Sequence, residues 1–446
     1  MKRLFVIALV GVTGCATQSA LLTPGITPAA SYSEAATPGA AELSADWWRT
    51  FSSAELQSLV DQALAGSPDL AIAAERVRQA EAQARVAGAS LFPTLDLGFS
   101  TRKTRENESS STTLSASYEV DLWGRNAANV RGAEQSLRAT AFDRDAARLT
   151  LLAGVATAYF EVLSLRGRLA VSRDNLAIAE RVLGVVEARA RNGAVSPLDV
   201  ARQQAAVLSQ RAALLSLEQQ ERQTLAALAV LVGRLPEGFE VKAATLAELA
   251  VPSVDPGLPA DLLVRRPDLA AAEAGLAAAN ADLSAARAAL LPSIQLTGSA
   301  GVASGALLAF LGGPSTGLAV AASVLQPIFD GGRLKGNVSI AESRERELVE
   351  TYRKAILAAF ADVETALAAA GRLARREALQ VQVEERAREA LRLAEVRYRE
   401  GADDLLSVLD AQRTLFDAQD QLALVRLDRL EAAVALFRAL GGGWHA

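Results

Sequence analysis

Side chains that carry chemistry are what this sequence has least of. One Cys, one His and one Met, the initiator, are spread over 446 residues. A Cys/His zinc cluster, a disulfide framework and a Cys-based redox pair are therefore excluded within one chain. The sole imidazole, His445, is next to last, which argues against a Ser-His-Asp centre. Aromatic residues make up only 5% of the chain. No basic surplus exists either: 46 Lys and Arg against 51 Asp and Glu give a net charge of −5, so nucleic acid is not an expected partner. Neither a metal nor a diffusible cofactor is expected.

The single cysteine sits in an informative place. Met1-Lys2-Arg3 is a basic start, Leu4 to Val12 is an apolar run, and Thr13-Gly14-Cys15 follows. That is the pattern of a secretory signal, too short to cross a bilayer as a helix. Val12-Thr13-Gly14-Cys15 resembles the lipobox of bacterial lipoproteins, with Val where Leu is commoner. The resemblance implies a signal peptide at 1–14 and a mature chain whose Cys15 carries S-diacylglycerol and N-palmitoyl groups. Ala16 stands where Asp favours inner-membrane retention, which points to the outer membrane. The stretch 15–45, rich in Ala, Ser, Thr and Pro and without a period, reads as an extended tether. Asp46-Trp47-Trp48-Arg49-Thr50-Phe51 then holds two of the four tryptophans and reads as a small aromatic core.

Length alone suggests roughly three domains, but an internal period overrides it. Pro68-Asp69-Leu70 recurs as Pro267-Asp268-Leu269, and Leu91-Phe92-Pro93 as Leu290-Leu291-Pro292, both displaced by 199 residues. Arg191-Asn192-Gly193-Ala194 recurs as Arg399-Glu400-Gly401-Ala402, displaced by 208, as do Gln204/Gln412 and Gly233/Gly441. One unit is used twice, over 46–260 and 261–446. The nine-residue change of offset is expected at the apolar segment Ala306 to Gly313.

Each unit reads as a helix, two strands, a very long helix, a tight turn and a return helix. Leu95, Leu97 and Phe99 alternate with polar or small residues, and so do Leu114, Ala116, Tyr118 and Val120, which predicts a hairpin over about 94–122. The counterpart, about 293–328, uses Ile294, Leu296, Leu318, Val320, Ala322 and Val324. Ala288 to Phe329 contains no Asp, Glu, Lys or Arg, yet Pro292, Pro314 and Pro327 with intervening glycines oppose a continuous helix. Strands that alternate lipid-facing and lumen-facing side chains fit better.

The long helices, about 125–191 and about 333–399, lack proline and carry a charge about every fourth residue, so they stand in water. At 1.5 Å per residue they reach roughly 100 Å. Val155, Ala158, Val162, Leu169, Leu176 and Val182 form a seam for neighbouring helices. Return helices are expected at about 197–232 and about 403–440, the second followed by a C-terminal tail.

Four strands cannot seal themselves in lipid, because edge N–H and C=O groups find no partner there. Several chains must combine: three give twelve strands and four give sixteen. If polar faces line the lumen and the helices form a hollow tube, the product is a conduit. A lipid-anchored coiled-coil scaffold would explain the helices without the amphipathic hairpins; an enzyme finds no site.

The run Glu119-Val120-Asp121-Leu122-Trp123-Gly124-Arg125, the repeated Pro-Asp-Leu, Leu409-Asp410-Ala411-Gln412-Arg413 and Ala439-Leu440-Gly441-Gly442-Gly443-Trp444 resemble the outer membrane efflux protein (TolC-like) family. Its lipoprotein branch serving resistance-nodulation-division pumps (NodT type) is the nearest pattern. The resemblance implies a mostly α-helical, mixed α and β protomer. It implies a homotrimer with a twelve-stranded outer-membrane barrel, a long periplasmic helical barrel and a mixed equatorial belt, here Ala45 to Phe51, Leu235 to Pro259 and the tail. It further implies an exit duct for drugs or other small molecules, joined through a periplasmic adaptor to an inner-membrane pump; a duct for type I protein secretion is the alternative within the family.

Two sets of residues follow from the resemblance. The turns Asn192-Gly193 and Glu400-Gly401 face the adaptor; glycine there ends each long helix in the left-handed conformation. Residues matching Tyr398, Arg399, Leu406 and Asp410 close the inner end of the tube. Leu406 and Asp410 are four apart and share a helix face, so three copies present an apolar ring beside an acidic one. Such a ring needs a counter-charge, a cation or a proton, and Arg399 is the candidate counter-charge.

Overall fold

The computed structural model describes residues 22, 24–34, 43–103, 105, 108–304 and 315–445. A 3-10 turn at Trp47–Phe51 precedes α1 (Ala54–Gly66) and α2 (Pro68–Ala89). The hairpin β1 (Thr94–Lys103) and β2 (Glu108–Val120) follows, then α3 (Arg125–Arg191) and α4 (Pro197–Leu231). An irregular connection leads to the short α5 (Leu262–Arg265) and into α6 (Pro267–Ala288), β3 (Ser293–Ser304), β4 (Ser315–Leu325), α7 (Arg333–Arg399) and α8 (Leu405–Ala439).

The duplication is kept in length in three helix pairs, though not in α1 and α5, which have 13 and 4 residues. α2 and α6 are both 22 residues long, α3 and α7 both 67, α4 and α8 both 35. The change of offset is split between two places rather than confined to one. The first hairpin leaves four residues between its strands and the second leaves ten; four residues separate β2 from α3 and seven separate β4 from α7. Six of the extra residues thus fall in the strand-to-strand link and three beside α7. The segment 306–313 itself lies outside the described residues, as does Cys15.

Local chemistry sets the ends of these elements. Proline opens α2, α4 and α6, where its missing N–H costs nothing. Pro93 and Pro292 follow α2 and α6 and cannot continue them. An aspartate caps each long helix: Asp121 accepts from the Asn126 and Ala127 amides at 3.0 and 2.7 Å, and Asp330 from those of Gly332 and Leu334, both at 3.0 Å. Ser196 and Asp199 form a reciprocal capping box on α4.

The four strands form one antiparallel sheet in the order β1-β2-β3-β4. Its register lines up Leu97, Leu114, Ala300 and Leu318 across the sheet, and Asp96, Ser115, Ser299 and Ala319 on the next row. Alternation then sorts the faces. One carries Leu95, Leu97, Phe99, Tyr118, Val320 and Val324; the other carries Thr94, Asp96, Ser117, Glu119, Gln295 and Thr297. Among the described residues, β1 and β4 each leave one edge unpaired.

Two compact units divide the molecule, and each takes matching pieces of both repeats. Among the described residues, one comprises those of 22–26, 75–142 and 269–355; the other comprises those of 27–74, 143–268 and 356–445. The first holds the sheet with the adjoining helix ends, and Trp123 Nε1 donates to the Pro292 carbonyl at 2.7 Å, linking the two hairpin bases. The second holds an aromatic core. Trp47 stacks on Phe437 at 5.1 Å, and Phe51 meets Phe160 at 4.9 Å. Gly441, Gly442 and Gly443 all have positive φ, and the chain threads so closely that a Cβ on Gly441 would lie 1.9 Å from the Arg265 carbonyl oxygen. Trp444 Nε1 then reaches Asp145 at 3.0 Å. Part of the N-terminal tether is also tied down here: the Ser33 amide donates to Glu364 at 2.9 Å, and Glu34 pairs with Arg372 at 3.1 Å.

Candidate functional site: a two-faced sheet, two turns and an acidic helix face

The sheet is inside out by the standards of a water-soluble core. Leu318 and Val320 are each 81% exposed, and Leu95, Leu97, Phe99 and Val324 are exposed with them. Apolar side chains at these positions gain nothing from water; they suit hydrocarbon. The opposite face is polar: beside Asp96, Glu119 and Gln295 it carries hydroxyls that bond to one another, as between Thr94 and Ser117 at 2.8 Å and Ser100 and Ser111 at 2.9 Å. Strands of 10 to 13 residues match the 9–11 a tilted strand needs to span a bilayer. Near the base Glu119 is held by Arg125 at 2.6 Å.

The two turns are near copies. Gly193 and Gly401 have φ of 68° and 75°. Each is followed by an alanine whose amide reaches back to close the helix, Ala194 to the Arg189 carbonyl and Ala402 to that of Arg397, both at 2.9 Å. This is the two-bond glycine stop expected of a Schellman motif. Asn192 caps its own helix through Ala188 at 2.9 Å, whereas Glu400 is exposed and makes no side-chain bond of that kind among the described residues.

The four residues at the end of α7 and start of α8 divide into two pairs. Tyr398 is only 4% exposed, packed with Val182, Val186, Leu391, Leu405 and Val408. Its ring lies under the Arg189 guanidinium, 4.4 Å from the ring centre, and its hydroxyl is buried with no hydrogen-bond partner among the described residues. Arg189 also donates to the Tyr398 and Arg399 carbonyls at 2.9 and 3.0 Å, binding the end of α7 to α3. Leu406 and Asp410, by contrast, face outward together, Leu406 58% exposed. The counter-charge of Asp410 within the chain is Arg413, one turn on at 3.2 Å. Arg399 instead turns its guanidinium to the Glu395 carbonyl at 3.4 Å, so it does not neutralise Asp410 here. Beyond the turn, hydrogen bonds from the Asp404 amide, the Ser407 hydroxyl and Arg397 hold the Asp403 carboxyl below the usual carboxylate range. Sequence reasoning missed Arg189 and Arg413; Arg413 stands at helical spacing from Asp410, but nothing in the linear pattern pairs Arg189 with a tyrosine 209 residues away.

A sheet with one exposed apolar face and one polar face, in a chain that also carries two 67-residue charged helices, is the make-up of an outer-membrane channel protomer. The chain belongs to the outer membrane efflux protein family, whose pattern matches residues 59–234 and 258–442. It is 43% identical over 417 residues to the pyoverdine export outer membrane protein OpmQ of Pseudomonas aeruginosa, covering 90% of this chain and 88% of that one. A crystal structure of a membrane protein from Pseudomonas aeruginosa superposes with a TM-score of 0.88 at 34% identity, covering 96% and 98% of the two chains. The open-state MtrE outer membrane channel of Neisseria gonorrhoeae does so with a TM-score of 0.86 at 30% identity, with the same coverage. The chain is thus a Gram-negative outer-membrane efflux component, a transport duct and not an enzyme.

Proposed function

We propose that three copies of this chain close into one duct, with a twelve-stranded barrel in the outer membrane and a helical tube in the periplasm. The carrying observation is the sheet: four strands, one exposed apolar face and two unpaired edges, a combination stable in lipid only when other copies complete the wall. The duct receives its cargo from an inner-membrane resistance-nodulation-division pump through a periplasmic adaptor, which meets the turns Asn192-Gly193 and Glu400-Gly401. Acyl groups on Cys15 add a second hold on the membrane. Leu406 and Asp410 line the inner opening, with Arg413 offsetting each carboxylate. Its cargo is small molecules: relatives are named for pyoverdine and for toluene, and a hydroxyl-lined wall suits any solute that stays wet.

Single-channel recording of the purified protein in planar bilayers tests this reading. Large, steady conductance steps are expected, with cation preference that falls in Asp410→Asn. Absence of conductance from a protein that has inserted into lipid would overturn it.

A further inference from the structure

Close to the second turn, between α3, α7 and α8, lies a cavity of about 240 Å³ that passive conduction does not use. Its apolar wall is Val182 and Val185 of α3, Val408 of α8 and Tyr398 of α7. Arg181 of α3 and Glu395 and Arg399 of α7 complete the lining. Val182, Tyr398 and Val408 are at most 7% exposed, whereas Arg181 and Arg399 are exposed, so an apolar interior opens at a charged mouth.

Three groups here have bonding capacity that the chain itself leaves unused. The Tyr398 hydroxyl is buried and finds no hydrogen-bond partner among the described residues. A hydroxyl left so costs free energy that a bound polar group recovers. Arg181 makes no ion pair among the described residues, and Arg399 gives only its Nε–H, to the Glu395 carbonyl oxygen. Two guanidinium groups without a carboxylate, set against the single charge of Glu395, leave the mouth with a positive surplus.

The duplication shows that this cavity is not a by-product of turning a long helix. At the 208-residue offset Arg181 corresponds to Glu389, which Arg392 already holds at 2.6 Å, and Tyr398 corresponds to Ala190. The matching place in the other repeat has no guanidinium at the first position and no hydroxyl at the second.

We propose that this cavity binds a small organic anion, an aromatic or branched aliphatic body bearing one carboxylate, and that the bound anion holds the inner opening closed. The body replaces water against Val182, Val185 and Val408. A carboxylate has enough lone pairs to accept from both guanidinium groups and from the Tyr398 hydroxyl. The volume falls below the roughly 300–1,000 Å³ of drug-sized pockets, which limits the ligand to one ring or a short branched chain. Because the site takes α3 from one repeat and α7 and α8 from the other, its ligand binds only while those helices stay together, and stabilises that arrangement. Leu406 and Asp410 lie within a turn of Val408 on α8. The closing role rests on their lining the inner opening of the proposed duct; the binding does not.

The probe is 3-phenylpropionate, titrated calorimetrically into the purified full-length protein in mild detergent. Saturable binding of one molecule per chain is expected. Arg181→Gln, at an exposed position, is expected to weaken it about tenfold, and Glu395→Gln to tighten it about threefold. The uncharged 3-phenylpropanol is expected to bind about tenfold more weakly than the acid. Opposite signs at 181 and 395 separate a site that reads charge from general disturbance of the helices. In planar bilayers the probe should shorten open times about twofold, with about tenfold more needed for Arg181→Gln. No saturable binding, or equal binding of the alcohol, overturns the site and leaves the duct reading standing. Binding with unchanged open times overturns the closing role. A protein that binds the probe and inserts into lipid without conducting overturns the duct reading and the closing role together, and keeps the site.

Discussion

The sheet and the aromatic core around Trp47, here called the belt, are built from the same alphabet with opposite placement. In the belt Trp47, Phe51, Phe160 and Phe437 are buried against one another, and glycines at 441–443 let the tail pass where no side chain fits. In the sheet the large apolar residues point away from their own chain and the small polar ones face one another. The belt carries its stabilisation with it. The sheet depends on lipid at one face and on neighbours at both edges. On the proposed assembly, one chain contains a region that is complete alone and a region that other copies complete.

Substitutions at matched severity separate the two regions. The largest effect is expected at Gly441→Ala, where a Cβ falls on the Arg265 carbonyl and the backbone sits at φ 88°. Overpacking and left-handed strain together cost roughly 3–5 kcal/mol. Loss of folded protein should follow with or without a membrane, as measured by protease resistance of the belt. Next is a pair of neighbours in β4. Val320→Arg, on the apolar face, should cost about 2–4 kcal/mol of membrane stability and leave belt protease resistance intact. Ala319→Arg, on the polar face, should assemble normally and shift ion selectivity toward anions. Equal effects at 319 and 320 would erase the distinction between faces.

A smaller effect is expected from Arg189→Ala, which removes the cation–π contact and two bonds to the last carbonyls of α7. About 1–3 kcal/mol of local stability should go, seen as faster amide exchange at 398–402 with the turn at 190–194 less affected. The smallest concerns Glu431, whose carboxyl is pushed up by burial, then by Asp428 and Glu161. A raised carboxylate favours the folded state only while protonated, so its contribution is lost as pH rises from the ordinary carboxylate range through the raised value. Glu431→Gln should therefore raise Tm by about 1–2 °C at pH 7 and change nothing at pH 4.

Much of this was legible in the chain before folding. Prolines 68, 93, 267 and 292 mark where α2 and α6 begin and stop, because a ring without an N–H can start a helix but not continue one. Alternation over 95–99 and 114–120 shows two-faced strands, and the matched Gly193 and Gly401 show where the long helices turn. The inequality of the repeats was hidden. α2 and α6 share Pro-Asp-Leu and length, yet one is nearly surrounded and the other is left half bare; which copy of a surface is covered depends on connectivity, not on composition. Arg189 and the pairing of Asp410 with Arg413 rather than Arg399 were hidden for a related reason. A charged side chain reaches several partners from one position, and only the folded backbone selects among them.

The central claim is that the sheet is one part of a shared wall. Native mass and rotational symmetry of the particle extracted in mild detergent test it most directly. Three chains around a threefold axis, with the β1 and β4 amides protected from exchange, is the predicted result. A single chain, stable in lipid with those same edge amides protected, would contradict it.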